Sequence, residues 1–187
     1  LSDAAKHQRA LTRRPFAPGV HGPDSRTRMT DYGKQLREKQ KAKRMYGLNE
    51  RQFSNLFAEM AKKTGDTGVQ FIQALESRLD NVVYRSGLVK TRAAARQAVS
   101  HAQFLLNGKK HNIPSYRVRS GDVITIRDNK KTSALWKDAE EKLSKSDKLS
   151  WIAADPKTLS VKVTGVPTDK ELQQPFDIKM VVEFYSR

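Results

Sequence analysis

The uneven distribution of charge constrains what this chain can fold into and bind more than any other sequence feature. Its 187 residues carry 36 Lys and Arg against 20 Asp and Glu, a formal net charge of +16. Residues 1–60 have a net charge of +7 and residues 76–131 of +8, whereas residues 132–187 hold nine basic and nine acidic residues. A large net charge informs about the binding partners of a protein rather than about its fold. Two basic blocks before a neutral tail favour two contact surfaces for a polyanion over a uniformly solvated surface.

Short apolar runs and the lack of cysteine exclude several classes of protein. The longest apolar run is four residues, Trp151 to Ala154, whereas a transmembrane helix needs about 20. Residues 1–14 contain no stretch typical of a secretory signal. The residues given can form no disulfide, thiolate nucleophile or Cys-ligated zinc site. The four His residues have no paired spacing, and no phosphate loop, triad or carboxylate cluster is present. We therefore expect no metal, cofactor, catalytic residue or membrane partner.

Residues 1–29 are predicted to form a basic extended arm. Prolines and glycines interrupt regular structure here, and arginines lie on either side of them. An arm without its own core is expected to order only against a partner, and a disordered tail is the alternative for residues 1–11. The candidate nucleic-acid contacts of the arm are Arg13, Arg14, His21, Arg26 and Arg28. A structural role in a turn is the alternative for His21.

A basic helix is predicted to follow the arm. Thr30 is a suitable N-cap, and the helix is expected to run to about Met45 with Gly47 as its stop. Four cations share one face of this helix: Lys34, Arg37, Lys41 and Arg44. Few of its residues are apolar, so one side is expected to meet RNA or another helix.

Three further helices are predicted from apolar positions at helical spacing. The first is capped by Asn49 and ends at Gly65, and its stripe is interpreted as core rather than as a base-stacking surface: Phe53, Leu56, Phe57 and Met60. The second is expected as one helix over about residues 68–85, with these inward residues: Ile72, Leu75, Leu79, Val82 and Val83. The third runs from its cap Thr91 to about Ser100.

A pair of arginines and a basic turn follow one another in the second basic block. Arg92 and Arg96 lie four residues apart and are expected to project together from the exposed side of the Thr91–Ser100 helix. A short strand over residues 103–106 is expected to lead into an Asn107-Gly108 tight turn, with Lys109-Lys110 as its basic tip.

The remaining residues give weaker patterns. Residues 116–119 and 123–127 alternate around a Ser-Gly-Asp sequence and predict a second hairpin-like pair. A charged surface helix followed by a Ser/Lys linker is expected over residues 132–150, and a strand over residues 159–163. Residues 176–185 fit the period of a strand and also that of a helix, and periodicity alone does not separate the two.

Several motifs of residues 77–127 together resemble the S-four RNA-binding domain. They are Arg78–Arg85, Thr91–His101, Leu106–Lys109, Ile113–Val118 and Gly121–Val123. The flanking motifs are similar to the bacterial-type small-subunit ribosomal protein S-four family: residues 18–22, 31–41, 46–47, 50–53 and 181–187. Two departures stand out. Ala102-Gln103 replaces a common Gly-His pair, and residues 164–168 replace a stretch with two arginines.

The resemblance implies an α+β fold, a mostly helical domain with an inserted small α/β domain of the S-four type. The domains expected on this basis are the arm (1–29), a helical ribosomal domain (30–76 plus 176–187) and an S-four-type domain with a C-terminal extension (77–175). The resemblance also implies a structural constituent of the cytoplasmic small ribosomal subunit that binds the 5′ domain of its RNA and nucleates assembly. The implied neighbours are ribosomal protein S-five, which would share a role in translational accuracy, and mRNA near its path into the ribosome.

The residues expected to bind RNA combine cations with polar and aromatic side chains. They are Arg13, Arg14, His21, Arg26, Arg28, Tyr32, Lys34, Arg37, Lys41, Arg44, Arg51, Arg92, Arg96, Ser100, Asn107, Lys109, Lys110, Ser115, Tyr116, Arg117 and Arg119. Arg92 and Arg96 are the foremost candidates, because two arginines can bridge phosphates, and a solubilising pair is the alternative. Asp80 is interpreted as a structural ion-pair partner between Arg78 and Arg85. An RNA-modifying enzyme would need a separate catalytic domain, and a smaller ribosome-rescue protein would lack the flanking motifs.

Overall fold

The chain has the predicted α+β architecture and divides into two compact units. The computed structural model describes residues 9, 12–16, 19–20, 22–23, 28–133, 135–145, 149–168 and 174–187. Within them lie eight helices with defined bounds and one five-stranded antiparallel sheet. The first unit comprises residues 1–45 and 176–187, and the second comprises residues 46–175. The domain boundaries expected from the sequence stay a prediction.

The bounds of the elements agree with most of the predicted positions. Helices α1 to α8 span Asp31–Met45, Glu50–Ala61, Thr67–Glu76, Leu79–Arg85, Arg92–Ser100, Asp128–Lys131, Ala139–Lys145 and Ile178–Tyr185. Strands β1 to β5 span Phe104–Leu106, Lys109–His111, Val123–Ile126, Ile152–Asp155 and Ser160–Val163. Strand β4 was not expected from the sequence.

The first unit pairs α1 with α8. Thr30 caps α1 as predicted, because its Oγ1 accepts a hydrogen bond from the backbone N–H of Gly33 at 3.2 Å. The C-terminal residues whose pattern was ambiguous form the helix α8. Its cap Asp177 accepts a hydrogen bond from the backbone N–H of Lys179 at 2.8 Å. The side chain of Gln35 on α1 donates through Nε2 to Oε2 of Glu183 on α8 at 2.9 Å.

Helices α2 and α3 form an aromatic core at the start of the second unit. The Asn49 cap of α2 is confirmed, and Gln52 completes a reciprocal capping box with it. The ring of Phe71 meets those of Phe53 and Phe57 edge to face, at centroid distances of 5.0 and 5.5 Å. The interpretation of the α2 stripe as core is therefore confirmed. Helix α2 ends at Ala61, four residues before the expected stop.

The single helix predicted over residues 68–85 is wrong, because the chain breaks it into α3 and α4. Arg78 is extended, with φ −66° and ψ 139°, and forms an isolated antiparallel bridge with Arg117. The backbone N–H of Leu79 donates to the carbonyl of Tyr116 at 2.8 Å. This hydrogen bond takes the place of the bond that the same N–H would donate four residues back in a continuous helix. The predicted inward residues are buried all the same, since the helical period resumes after the break.

The second predicted hairpin is also wrong. Residues 116–118 pair with residues 77–79, and β3 pairs instead with β1 and β5 in the sheet order β2-β1-β3-β5-β4. The Asn107-Gly108 turn between β1 and β2 is confirmed. Its φ angles of +50° and +78° are those that a tight two-residue hairpin requires.

The helix expected on the surface over residues 132–150 is shorter and partly buried. Helix α7 starts at Ala139, and Trp136, Ala139 and Leu143 belong to the core beneath the sheet. The indole N–H of Trp136 donates to Oε1 of Gln103 at 2.7 Å, which satisfies the polar atom of a buried ring. Residues 146–148 of the expected linker lie outside the described residues.

Candidate nucleic-acid interface

Helix α1 carries four of its cations on the side opposite to the one that it buries. Gln35, Lys39 and Ala42 are buried, and the predicted stripe of four cations lies about half a turn away around the helix axis. We name this stripe the α1 face: Lys34, Arg37, Lys41 and Arg44. Its two lysines pair with carboxylates three residues earlier, at 3.1 and 3.6 Å. Neither of its arginines pairs with a carboxylate of the described residues.

Tyr32 presents a half-exposed ring in the first turn of this helix. The residue is 51% exposed, and its ring centroid lies 5.7 Å from that of Phe184. The guanidinium carbon of Arg187 lies 6.0 Å from the same ring. Tyr116, the other predicted tyrosine contact, is partly buried against the core and meets the ring of His111 at 4.7 Å. Of these two rings, Tyr32 is the better placed to meet a ligand.

Several further expected contacts are exposed in the structure. Arg13, Arg14 and Arg28 of the arm are exposed, and so is Arg51 on α2. Ser100 ends α5 and is exposed, as is Ser115 in the loop after β2. The predicted contacts His21 and Arg26 lie outside the described residues. The exposure of these side chains is compatible with RNA contact and does not demonstrate it.

The structure corrects the expected placement of Arg92. Its guanidinium carbon lies 5.0 Å from the ring centroid of Tyr46 and 4.5 Å from that of Tyr84, in cation–π range of both. Its Nε donates to Oδ1 of Asn81 at 2.8 Å, and its Nη2 lies 3.8 Å from Oε1 of Glu76. Only 20% of the side chain is exposed. The expectation that Arg92 projects freely from α5 is therefore wrong.

Glu76 is the centre of this buried network. Its Oε1 accepts from the hydroxyl of Tyr46 at 2.6 Å, from Nη2 of Arg85 at 2.8 Å and from Nε2 of Gln174 at 3.1 Å. Its Oε2 accepts from Nδ2 of Asn81 at 2.6 Å and from Nε of Arg85 at 2.8 Å. A charge as buried as this one is tolerated when it is paired and hydrogen-bonded on both oxygens.

The ionisation of these groups follows from their contacts. Burial acts to raise the pKa of Glu76, but the hydrogen bonds and charge of Arg85, with those from Tyr46 and Asn81, hold that pKa below its ordinary value. Burial, and then the charge of Glu76, raises the pKa of Tyr46 well above its usual range. The hydrogen bond to Glu76 raises the pKa of Arg85. At neutral pH the carboxylate is therefore ionised and the tyrosine hydroxyl remains a donor.

Arg96 is less enclosed than Arg92. Its Nη1 lies 3.3 Å from the carbonyl of Gly47 and 3.8 Å from Oδ2 of Asp80, and 41% of the side chain is exposed. Asp80 is an ion-pair partner, as interpreted from the sequence, and it accepts from Nε and Nη2 of Arg78 at 3.1 and 2.8 Å. Arg85 pairs with Glu76 instead. Arg96 therefore keeps a surface that an external anion can reach.

Strand β2 begins with two exposed lysines directly after the Asn107-Gly108 turn. Lys109 and Lys110 form no ion pair with any described residue. The side chain of Asn107 donates to Oδ1 of Asp122 at 2.9 Å, and Oδ2 of Asp122 accepts from the backbone N–H of Arg119 at 2.8 Å. Asp122 thus ties the turn to the loop that carries Arg119, which is also exposed. We name these three cations the turn cluster: Lys109, Lys110 and Arg119.

Arg117 is engaged within the second unit. Its two terminal nitrogens donate to the two carboxylate oxygens of Glu59 at 2.6 and 2.5 Å. The hydrogen bond from Arg117 lowers the pKa of Glu59, and the same bond raises the pKa of Arg117. Both side chains are more than a third exposed, so water screens the pair and it contributes little to stability.

Sequence reasoning missed the network that surrounds Glu76. The sequence does contain a signal for this network, because Glu76 falls on the apolar stripe of its helix, next to Leu75 and one turn after Ile72. A carboxylate on a buried stripe needs a cationic partner. The identity of that partner, Arg85 nine residues later, depends on the break between α3 and α4 and could not be read from spacing.

Two other kinds of site receive no support from the described part of the chain. No three His, Asp or Glu side chains there lie close enough together to hold a metal ion. None of its helices combines the length and apolarity needed to cross a membrane.

Two family models match the chain in adjoining segments. Residues 2–76 match the "Ribosomal protein S4/S9 N-terminal domain" and residues 77–124 match the "S4 domain". The "Small ribosomal subunit protein uS4" of Gloeobacter violaceus is 44% identical over 95% of this chain and 85% of its own length. The chain belongs to this family. The uS4 protein of Roseiflexus castenholzii is 44% identical over 97% of this chain and 90% of its own length. The uS4 protein of Cupriavidus pinatubonensis is 47% identical over 91% of this chain and 82% of its own length.

Proposed function

We propose that this protein is a structural constituent of the small ribosomal subunit in the cytoplasm and binds its ribosomal RNA without catalysing a reaction. The observation that carries the proposal is the family match over nearly the whole chain. The α1 face and the turn cluster support it, because they offer cations that internal carboxylates do not fully neutralise. Folded RNA presents phosphates and 2′-hydroxyls rather than base edges, and cationic surfaces of this kind read them.

The finer role proposed for the protein follows the family resemblance of its motifs. It binds the 5′ domain of the RNA early, and so nucleates assembly of the subunit. Ribosomal protein S-five is the proposed neighbour through which it contributes to translational accuracy, and mRNA passes close by on its way into the ribosome. The exposed residues of the α1 face, the turn cluster and the arm are the proposed primary contacts, and Arg96 and Tyr32 are proposed as further contacts.

A binding experiment with matched RNAs tests this role. The purified chain is titrated against a transcript of the 5′ domain and against a transcript of equal length from another domain of the same RNA, at low and at high salt. Binding to the 5′ domain is expected to be tighter, and to weaken steeply with salt because each neutralised phosphate releases counterions. Equal affinity for both transcripts would contradict the proposed specificity. Turnover of any nucleotide would contradict the non-catalytic role.

A further inference from the structure

The guanidinium of Arg92 is held from several directions by neighbouring side chains. The rings of Tyr46 and Tyr84 lie 5.0 and 4.5 Å from its central carbon, and Oδ1 of Asn81 accepts from its Nε at 2.8 Å. Arginine has a flexible side chain, and binding normally has to immobilise it. In this protein the folded unit has already done so.

Glu76 fixes the direction from which Asn81 meets Arg92. The Nδ2 of Asn81 donates to Oε2 of Glu76 at 2.6 Å and to the backbone carbonyl of Glu76 at 3.0 Å. Both atoms can only accept, so the amide must turn its nitrogen toward them. Its oxygen is then left for Arg92. The orientation of Arg92 thus depends on a chain of contacts that begins at a carboxylate 1% exposed.

Arg92 keeps donors for a further ligand. Only Nε forms a hydrogen bond within the described residues, to Asn81, and Nη2 is 3.8 Å from Glu76, whereas Nη1 contacts no described acceptor. The residues beside it along the chain, Lys90, Thr91 and Ala93, are exposed. The network holds one carboxylate against the two cations Arg85 and Arg92, so it keeps a surplus positive charge. A fixed donor with surplus positive charge suits an anion.

We propose that Arg92 is a preoriented donor for a single RNA phosphate, and that Tyr46, Tyr84 and Asn81 are positioning residues for its guanidinium. Phosphate is the fitting ligand because the planar guanidinium matches its oxygens and because phosphates are the anions that folded RNA presents. The inference rests on the proposed function and deepens it. Arg92 binds a phosphate with a guanidinium whose orientation is fixed, whereas the turn cluster binds through the charge of exposed side chains. Only the first mode depends on neighbouring side chains.

Variants of Tyr84 distinguish a role in positioning Arg92 from a role in stabilising the fold alone. Tyr84→Phe keeps the ring that contacts Arg92 and serves as the matched control, whereas Tyr84→Leu removes the ring. Affinity for the 5′-domain transcript is measured for both, for Arg92→Ala and Arg92→Lys, and for Tyr84→Leu combined with Arg92→Ala. Thermal unfolding of every variant records whether it is folded. Asn81→Ala replaces Tyr84→Leu in the same cycle if the latter does not fold.

The expected result is a coupled pattern of losses. Arg92→Ala weakens binding at least fivefold and lowers the salt slope by about one. Arg92→Lys weakens it nearly as much, because the charge remains but the oriented fork is lost. Tyr84→Phe binds as the wild type does, and Tyr84→Leu weakens binding at least threefold alone but not further in the Arg92→Ala background.

Three outcomes overturn the proposal, and they distinguish its failure from the failure of the proposed function. If the wild type binds the transcript but the losses of Tyr84→Leu and Arg92→Ala multiply, or Arg92→Lys restores full affinity, the positioning role is wrong and the proposed function stands. If the wild type shows no preference for the transcript over the control RNA, the proposed function fails and the inference fails with it.

Discussion

Arg92 on α5 and Lys109 at the start of β2 belong to the same basic block, yet the fold uses them differently. Arg92 contacts two tyrosine rings, an amide and a carboxylate, and most of its side chain is buried. Lys109 is exposed and has no ion-pair partner within the described residues. A count of charges treats the two residues as equal. A basic block can therefore combine a cation that the fold holds in one direction with cations that are freely exposed.

Replacing Glu76 is the strongest way to test the buried side of this comparison. Glu76→Ala leaves Arg85 and Arg92 without their carboxylate in a buried site, and breaking such a pair costs about 3–5 kcal/mol. A large drop in the free energy of unfolding is therefore expected in chemical denaturation. The matched control is Glu59→Ala, which breaks the exposed pair with Arg117 and should cost about 1 kcal/mol or less. Equal losses for the two variants would contradict the central role of Glu76.

The same network predicts that acid destabilises the protein. The pKa of Glu76 is lowered in the folded state, so its ionisation stabilises the fold above the unfolded value near 4.5. This contribution is lost as the pH falls from that value through the lower folded pKa. Melting temperatures measured between pH 6 and pH 3 should fall in that window, and less steeply for Glu76→Gln. An identical pH profile for the variant would remove Glu76 as the cause.

Two double variants with the same loss of charge compare the two kinds of cation directly. Arg92→Ala with Arg96→Ala leaves the amide of Asn81 and the carboxylate of Glu76 short of donors, at a cost of about 1–3 kcal/mol. Lys109→Ala with Lys110→Ala removes exposed side chains and should change stability by about 0.5 kcal/mol at most. Thermal unfolding of both is the measurement. A lysine variant less stable than the arginine variant would contradict the expected difference between the two kinds of cation.

The geometry of the turn itself has the smallest expected effect. Gly108 has a φ of +78° and open space around the position of a Cβ, so Gly108→Ala carries only conformational strain, about 1 kcal/mol. A small drop in stability and a modest loss of RNA affinity are expected in unfolding and binding assays. An unchanged affinity would mean that the lysines act as charge alone, without help from the turn.

Local signals made the helix caps and most core positions predictable. Thr30, Asn49 and Thr91 cap their helices as expected, because a short polar side chain before an apolar period reports directly on the backbone donors beside it. The stop after α4 at Gly87 follows from a φ of +83°. These features depend on residues within one turn of each other.

Features that depend on distant partners could not be predicted. The break between α3 and α4 arises because residues 77–79 pair with residues 116–118, some forty positions later. The same pairing removed the partner that the second predicted hairpin needed. The C-terminal helix was ambiguous because its apolar residues fit both periods, and packing of Val181 beside α1 decides between them. Arg92 was placed wrongly for the same reason, since the carboxylate that attracts it lies on another helix.

The salt dependence of RNA binding shows whether the exposed cations hold the small-subunit RNA. Affinity for the 5′-domain transcript is plotted against salt concentration on logarithmic axes for the wild type and for the triple alanine variant of the turn cluster. The slope for the variant is expected to be shallower by about two to three, because each lost phosphate contact removes about 0.7–0.9 from the slope. A variant whose line has the slope and height of the wild type would contradict this expectation.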